Sequence, residues 1–289
     1  IFTLLTLIFT LIFGSSEIGN VRRFIYIAGT SVQPAFPALI LLIITQASLL
    51  ARNAPDAPGL REFVAALIMT SAAAFLVFRQ PNLSTATLYV ATWAAMIFAS
   101  KMNLTYIGAL GLTGITAIPL VLPYLPTYMQ NRIYNFMQPE RDPWSKYNLD
   151  QALISIGSGG LWGKGFAAGT QSQLHFLRVR HTDFIFSVIC EELGFIGAVL
   201  VLLLFTLLLW RLLRIAAEAG DLTGQLIVIG ITTYIFYQLI INLGMNLNLL
   251  PVAGLPMPLI SSGGSSLVIA YVGIGLVESV AMRRKRLEF

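Results

Sequence analysis

The stretch from Phe184 to Trp210, FIFSVICEELGFIGAVLVLLLFTLLLW, decides the fold. Its only ionisable acids are Glu191 and Glu192, and the run beyond them is apolar for longer than a soluble core helix needs. A helix rises about 1.5 Å per residue, so roughly twenty such residues cross the roughly 30 Å of hydrocarbon in a bilayer. Outward from this run, further apolar runs lie near Ile1 to Phe13, Pro34 to Leu50, Phe63 to Phe78, Leu83 to Ser100, Thr105 to Tyr124, Leu222 to Leu250 and Leu267 to Met282. These are continuous runs and not short alternating strands, so they predict an all-α membrane protein, a polytopic bundle of about eight spans.

Composition agrees. The 289 residues are 56% hydrophobic and 11% charged, with a mean hydropathy of +0.78, outside the range of soluble domains. The net charge of +5 is scattered between apolar runs and forms no stripe, which argues against a nucleic-acid partner. Arg52, Arg61, Lys101, Arg211, Arg214 and the tail Arg283, Arg284, Lys285 and Arg286 fall on one side if the spans alternate, while Arg22, Arg23 and Arg79 fall on the other. The richer side is expected to be the cytoplasm, which places the C-terminus inside and the loop 125–183 outside. Ile1 opens inside an apolar run without an initiator Met, a basic n-region or a cleavage site, so preceding spans are expected. The chain is treated as a single transmembrane domain, 1–289. The single cysteine, Cys190, admits no internal disulfide and is expected in the core.

A loop of about sixty residues is uncommon as a mere connector, so 125–183 predicts a functional element or a small folded cap. Trp144 and Trp162 within it suit the headgroup level. Its glycine run, Gly157-Ser-Gly159-Gly160-Leu-Trp-Gly163-Lys164-Gly165, reads either as a cradle for an anion, with Lys164 as point charge, or as a flexible turn. Between the last two spans, Pro251 to Gly264 holds Pro251, Pro256 and Pro258, which cannot continue a helix. This segment is expected to be re-entrant or to line a cavity, with a loop in the headgroup region as the alternative.

Acids at a membrane boundary are expensive unless paired, wetted or used. Asp183, in Arg180-His-Thr-Asp183-Phe-Ile-Phe, sits where polar loop meets apolar span. An apolar wall there raises a carboxyl's pKa towards the range of a general base, and Arg180 pulls it back. Glu191 and Glu192 read as a structural polar pair. Arg178, Arg180 and Lys164, with Arg141 and Lys146 further back, suit recognition of phosphate or equally of anionic lipid headgroups. His175 and His181 are too few for a zinc cluster, and no protein-held metal is firmly predicted.

Two long segments resemble one family. Tyr147 to Gly197, YNLDQALISIGSGGLWGKGFAAGTQSQLHFLRVRHTDFIFSVICEELGFIG, is similar to the large extracytoplasmic loop and following span of the RodA/FtsW proteins. Asn242 to Ser266, NLGMNLNLLPVAGLPMPLISSGGSS, resembles their C-terminal signature, and GTQSQLHFL at Gly169 to Leu177 looks more like RodA than FtsW. The resemblance covers essentially the whole chain, with the family's first two spans absent before Ile1. It implies polymerisation of lipid II, the undecaprenyl-pyrophosphate-linked disaccharide peptide, into peptidoglycan strands during cell elongation. It implies Asp183 as the catalytic base, and Lys164, Arg178, Arg180, Arg132, Ser261, Gly263 and Gly264 are expected on the substrate. A divalent cation at the pyrophosphate and a class B penicillin-binding protein as partner belong to the same implication. The chain departs from the family at Gln33-Pro-Ala35-Phe36 and Leu39, where an acid and a base are usual, and at Gln80-Pro-Asn82, where Asp is usual. Phe24, Gln130, Arg178-Val179, Asn248 and Ser262 also replace the usual residues. Two alternatives remain open: a transporter or flippase of the lipid-linked precursor, or a non-catalytic scaffold that regulates a penicillin-binding protein, which the departures favour.

Overall fold

The computed structural model describes residues 2–14, 23–27, 30–54, 58–102, 105–106, 108, 111, 114, 126–174, 176 and 181–284. Among the described residues, four helices are long and apolar enough to cross a membrane, and three shorter apolar helices accompany them. Seven of the eight expected runs are thus helices, and most of the eighth, 105–124, lies outside the described residues. Helices α1 (Phe2–Phe13), α2 (Ala35–Leu50), α3 (Leu60–Arg79) and α4 (Leu83–Ala99) come first. Next are α5 (Thr127–Met137), a 3₁₀ turn (Pro139–Arg141), α6 (Pro143–Ser158) and α7 (Thr170–Gln173), all inside the expected outer loop. Last come α8 (Ile185–Ala217), α9 (Leu222–Asn246) and α10 (Gly264–Arg284).

One element departs from an all-α reading. β1 (Ile25–Ile27) and β2 (Thr30–Val32) pair antiparallel, with Ile25 opposite Val32 and Tyr26 opposite Ser31. Three-residue strands are too short to show alternation in a sequence. Next to them the Arg23 guanidinium donates to the carbonyls of Gln80 and Pro81, and Gln80 Nε2 donates to Leu7 O at 3.0 Å.

The chain divides into two compact units. The first comprises Ile1–Ile115, Leu209–Tyr237 and Gly264–Phe289. Its centre is α2, where Phe36, Leu39, Ile43, Ala47 and Leu50 are buried. A Cβ at Gly230 would stand 2.7 Å from Ile43 Cγ2, so the lack of a side chain is what allows α9 to approach α2 there. Ala35, Phe36 and Leu39, where the family carries charge or polarity, are core residues here: each is at most 2% exposed, and Phe36 meets Tyr234 edge-on. The Tyr89 hydroxyl donates to Ala35 O at 2.6 Å. Asn82 has become a cap, its Oδ1 accepting from Thr85 N at the start of α4.

The second unit comprises Thr116–Leu208 and Gln238–Gly263, and Leu149, Ala152 and Phe184 form a small core in it with Val252 against them. Its organising event is a break in α8. Gly194 has φ 66° and ψ −166°, outside the helical region, and the glycine loop fills the gap. Lys164 N donates to Glu191 O at 2.9 Å and Gly165 N to Glu192 O at 3.0 Å. In return, Phe195 N donates to Gly160 O at 2.8 Å and Ile196 N to Leu161 O at 3.2 Å. Four backbone bonds that the helix lost are remade with the loop, so the glycine run is a splice and not a free turn.

The approach is so close that side chains are excluded. A Cβ at Gly163 would lie 2.2 Å from Glu192 O, and one at Gly194 2.3 Å from Gly163 N, and both residues have positive φ. Gly163→Ala and Gly194→Ala should therefore each cost about 1–3 kcal/mol or more from overpacking. Gly157→Ala, where a Cβ meets nothing within 4 Å, is the control. Thermal unfolding in detergent reads the difference, and equal midpoints for all three would refute the splice.

Candidate functional site

Asp183 lies at the foot of α8, and what fixes it is its backbone. Its carbonyl accepts from Asn246 Nδ2 at 2.9 Å and from Asn242 Nδ2 at 3.1 Å, two amides one turn apart on α9. Asn242 Nδ2 also donates to Leu255 O at 2.9 Å, and Asn246 Oδ1 accepts from Ser187 Oγ at 2.7 Å and Ser187 N at 3.2 Å. The two preceding carbonyls are held as well. Ser261 Oγ donates to Thr182 O at 2.7 Å, and Ser262 donates from both N (2.9 Å) and Oγ (2.8 Å) to His181 O. Three successive carbonyls are thereby clamped between α9 and the Pro/Gly segment.

That segment is irregular from Pro251 to Gly263, with positive φ at Gly254 (62°) and Leu259 (63°). It buries Leu255 and Met257, and Ser261 Oγ accepts from Met257 N at 2.8 Å, which closes its last turn. A Cβ at Gly254 would stand 4.0 Å from Asp183 Oδ2, an ordinary contact, so it is the positive φ and not crowding that calls for glycine beside the carboxyl. Burial pushes the Asp183 carboxyl above its usual pKa, while the Arg132 charge on α5 and the Thr182 hydroxyl act in the opposite sense.

The remaining candidates are dispersed. Arg132 is half-buried and acts on Asp183; Arg178 and Arg180 lie outside the described residues. Ser261 spends its hydroxyl on Thr182 O and Met257 N, Gly263 N donates to Ser261 O at 2.7 Å, and Gly264 is the first residue of α10. Lys146 pairs with Glu140 at 2.9 Å on the surface, and Arg141 stacks over the Tyr134 ring at 5.5 Å. Lys164 Nζ meets Glu191 Oε1 at 2.8 Å and Thr170 Oγ1 at 2.8 Å. Glu191 is fully buried and also accepts from Gln171 N at 2.9 Å, so its partner is the glycine loop; Glu192 is half-buried. Among the described residues no three His, Cys, Asp or Glu side chains converge as metal ligands.

Asn242, Asn246, Ser187 and Thr182 were not among the sequence candidates. The signal was present, because two asparagines four residues apart in an apolar span share one helix face and are costly there without partners.

The fold and this site define a multi-pass helical membrane protein whose polar machinery is gathered at the end of its spans. Residues 1–286 match the model of the FtsW/RodA/SpoVE family, described as cell cycle proteins, and the chain belongs to that family. It is 40% identical over 232 residues to the Escherichia coli K12 peptidoglycan glycosyltransferase MrdB, covering 80% of this chain and 63% of that protein. It is 36% identical over 265 residues to stage V sporulation protein E of Bacillus subtilis, covering 90% and 71%. The chain thus spans less than two thirds of the MrdB length. Among solved structures it is similar to a chain of a peptidoglycan synthase complex described as coordinating polymerization and crosslinking, with TM-score 0.81 and 29% identity over 98% of this chain and 79% of that one. The crystal structure of Thermus thermophilus RodA gives TM-score 0.70 and 29% identity, covering 98% and 76%.

A fully buried carboxylate that loses its partner is left uncompensated, which typically costs about 3–5 kcal/mol. Lys164→Met should destabilise by about 3 kcal/mol, the lower end, because the lysine side chain is 27% exposed. Adding Glu191→Gln should restore part of that loss, and additive losses in the thermal midpoints of the double-mutant cycle would dissolve the pairing.

Proposed function

We propose that this chain polymerises lipid II into peptidoglycan glycan strands, with Asp183 as general base. The observation that carries the reading is the mount of Asp183: an immobilised backbone, a carboxyl whose pKa burial raises, and the Arg132 charge acting on it. A base must hold its geometry while its proton affinity is tuned towards the working pH, and this arrangement supplies both. In the reaction, a sugar hydroxyl of one disaccharide gives its proton to the Asp183 carboxylate as its oxygen bonds to the anomeric carbon of the other unit. The bond from that carbon to the pyrophosphate breaks, and the lipid pyrophosphate leaves with the electron pair. Arg132, with Arg178 and Arg180, steadies the negative charge that develops there, and Lys164 supports the site through Glu191.

The work of elongation, with a class B penicillin-binding protein that crosslinks the new strands, is part of the same proposal. The MrdB relative, the RodA-like segment Gly169 to Leu177 and the likeness to a synthase complex support it. The setting is the bacterial cytoplasmic membrane, with the segment 125–183 and Pro251 to Gly264 outside and the C-terminus in the cytoplasm. That orientation rests on the Lys/Arg asymmetry of the short connections.

Purified protein with its partner and labelled lipid II, followed by gel separation of the glycan products, tests the activity. Asp183→Asn should lower turnover about a hundred- to ten-thousandfold with the fold intact. A base works deprotonated, so the parent rate rises with pH through the raised pKa of Asp183. Arg132→Ala removes a group that holds that pKa down and should move the acidic limb to higher pH. Parent-like turnover of Asp183→Asn would end the assignment, and an inactive parent beside a competent partner would favour the scaffold.

Orientation is read separately in intact spheroplasts with an impermeant thiol reagent. A cysteine at exposed Asp150 should be modified and one at exposed Arg283 protected, and the reverse pattern would invert the topology.

A further inference from the structure

The geometry points to a second, non-catalytic contact: the spliced glycine loop dips into the bilayer surface through Leu161, Trp162 and Phe166. Nothing in the proposed chemistry uses these side chains, yet they are among the most exposed apolar groups of the second unit, at 64%, 80% and 88%. An aqueous loop would hold such groups only at the cost of hydrating them.

Depth along α8 says what covers them. The helix is 33 residues long, about 50 Å, far more than the hydrocarbon thickness. Its basic end carries Arg211 and Arg214, which mark one interface. From Phe195, just after the break at Gly194, to Arg214 is twenty residues, the length of one crossing. The stretch after the break is therefore a complete span on its own, and the break lies at the opposite hydrocarbon boundary. The loop is bonded to that level and no other, because its four backbone hydrogen bonds go to residues 191, 192, 195 and 196. Trp162 and Phe166 are thus held where aromatic side chains are favoured, with a wet headgroup zone on one side and acyl chains on the other.

Two further observations fit a lipid surface. The apolar loop continues the lipid-facing surface of the span, since Leu193, Phe195, Ile196, Val199 and Leu200 on α8 are all 44–62% exposed. Lys164, between the two aromatics, has its ammonium drawn onto Glu191, so no bare charge is carried towards the acyl chains. The occupant is the headgroup and upper acyl region of the leaflet on the loop's side, and this holds whichever reaction the chain performs.

The test uses the whole chain in bilayers of phosphatidylethanolamine and phosphatidylglycerol. A nitroxide on Phe166→Cys should show an oxygen-to-nickel-chelate collision ratio above that of a label at water-exposed Asp150→Cys and nearer to that at Leu203→Cys on α8. The parent, whose Cys190 is buried, serves as the unlabelled control. A ratio equal to that at position 150 overturns the inference, including the case in which the label becomes protected only when a penicillin-binding protein is added, which would make the surface a protein contact. As an independent reading, Trp162→Phe should lose part of the tryptophan quenching caused by lipids brominated high on the acyl chain. Quenching unchanged from the parent likewise overturns it.

Discussion

Near hydrocarbon a backbone N–H or C=O without a partner costs several kcal/mol, and the second unit is organised around that penalty. A helix broken at Gly194 exposes carbonyls on one side of the break and amides on the other. The loop from Gly159 to Gly165 answers both sets, and the missing Cβ atoms of Gly159, Gly163 and Gly194 leave the room for that approach. The buried Glu191 carboxylate extends the same seam, because it draws Lys164, Thr170 and the amide of Gln171 onto α8. Break, glycines and ion pair are one device, and removing any part leaves polar groups stranded in the other two.

The same economy operates at the foot of α8. The carbonyls of His181, Thr182 and Asp183 precede the helix and would be unpaired without Ser262, Ser261 and the two asparagines. The groups that satisfy them come from the hydroxyls and backbone of an interrupted segment and from the side-chain amides of Asn242 and Asn246 near the end of α9. Irregular backbone is thus concentrated where side chains and neighbouring carbonyls can complete it. A carboxyl mounted on such a clamp loses little of its orientation to thermal motion, which is what a group meeting a reacting atom requires.

Much of this was legible in the sequence. Apolar runs of helical length gave seven helices close to their observed bounds, and Asp183 announced itself by standing where polar chain turns apolar. What was not legible depends on distances between segments far apart in the chain. Glu191 and Glu192 read as a pair because they are neighbours, but consecutive helix residues point about 100° apart, and Glu191 instead meets Lys164, twenty-seven positions earlier. The glycine run left a cradle and a turn equally open, because only the broken helix reveals that its amides are already taken. Ala35, Phe36 and Leu39 stood out as lost charges, and the structure shows what replaced them: the buried centre of α2, which tolerates no unpaired ion. Asn242 and Asn246 lay inside the C-terminal signature, and their task is invisible until the carbonyl they share is in place.

The rod on which Asp183 stands has a further consequence. The nine residues from Ile185 to Leu193 make about two and a half helical turns, roughly 14 Å, and set how far Asp183 stands from the splice. Helical pitch therefore fixes the distance from the carboxyl to the splice. Reach from the splice is thus written in residue count: inserting or deleting one turn between Asp183 and the break would move the carboxyl about 5 Å from the loop that anchors the helix.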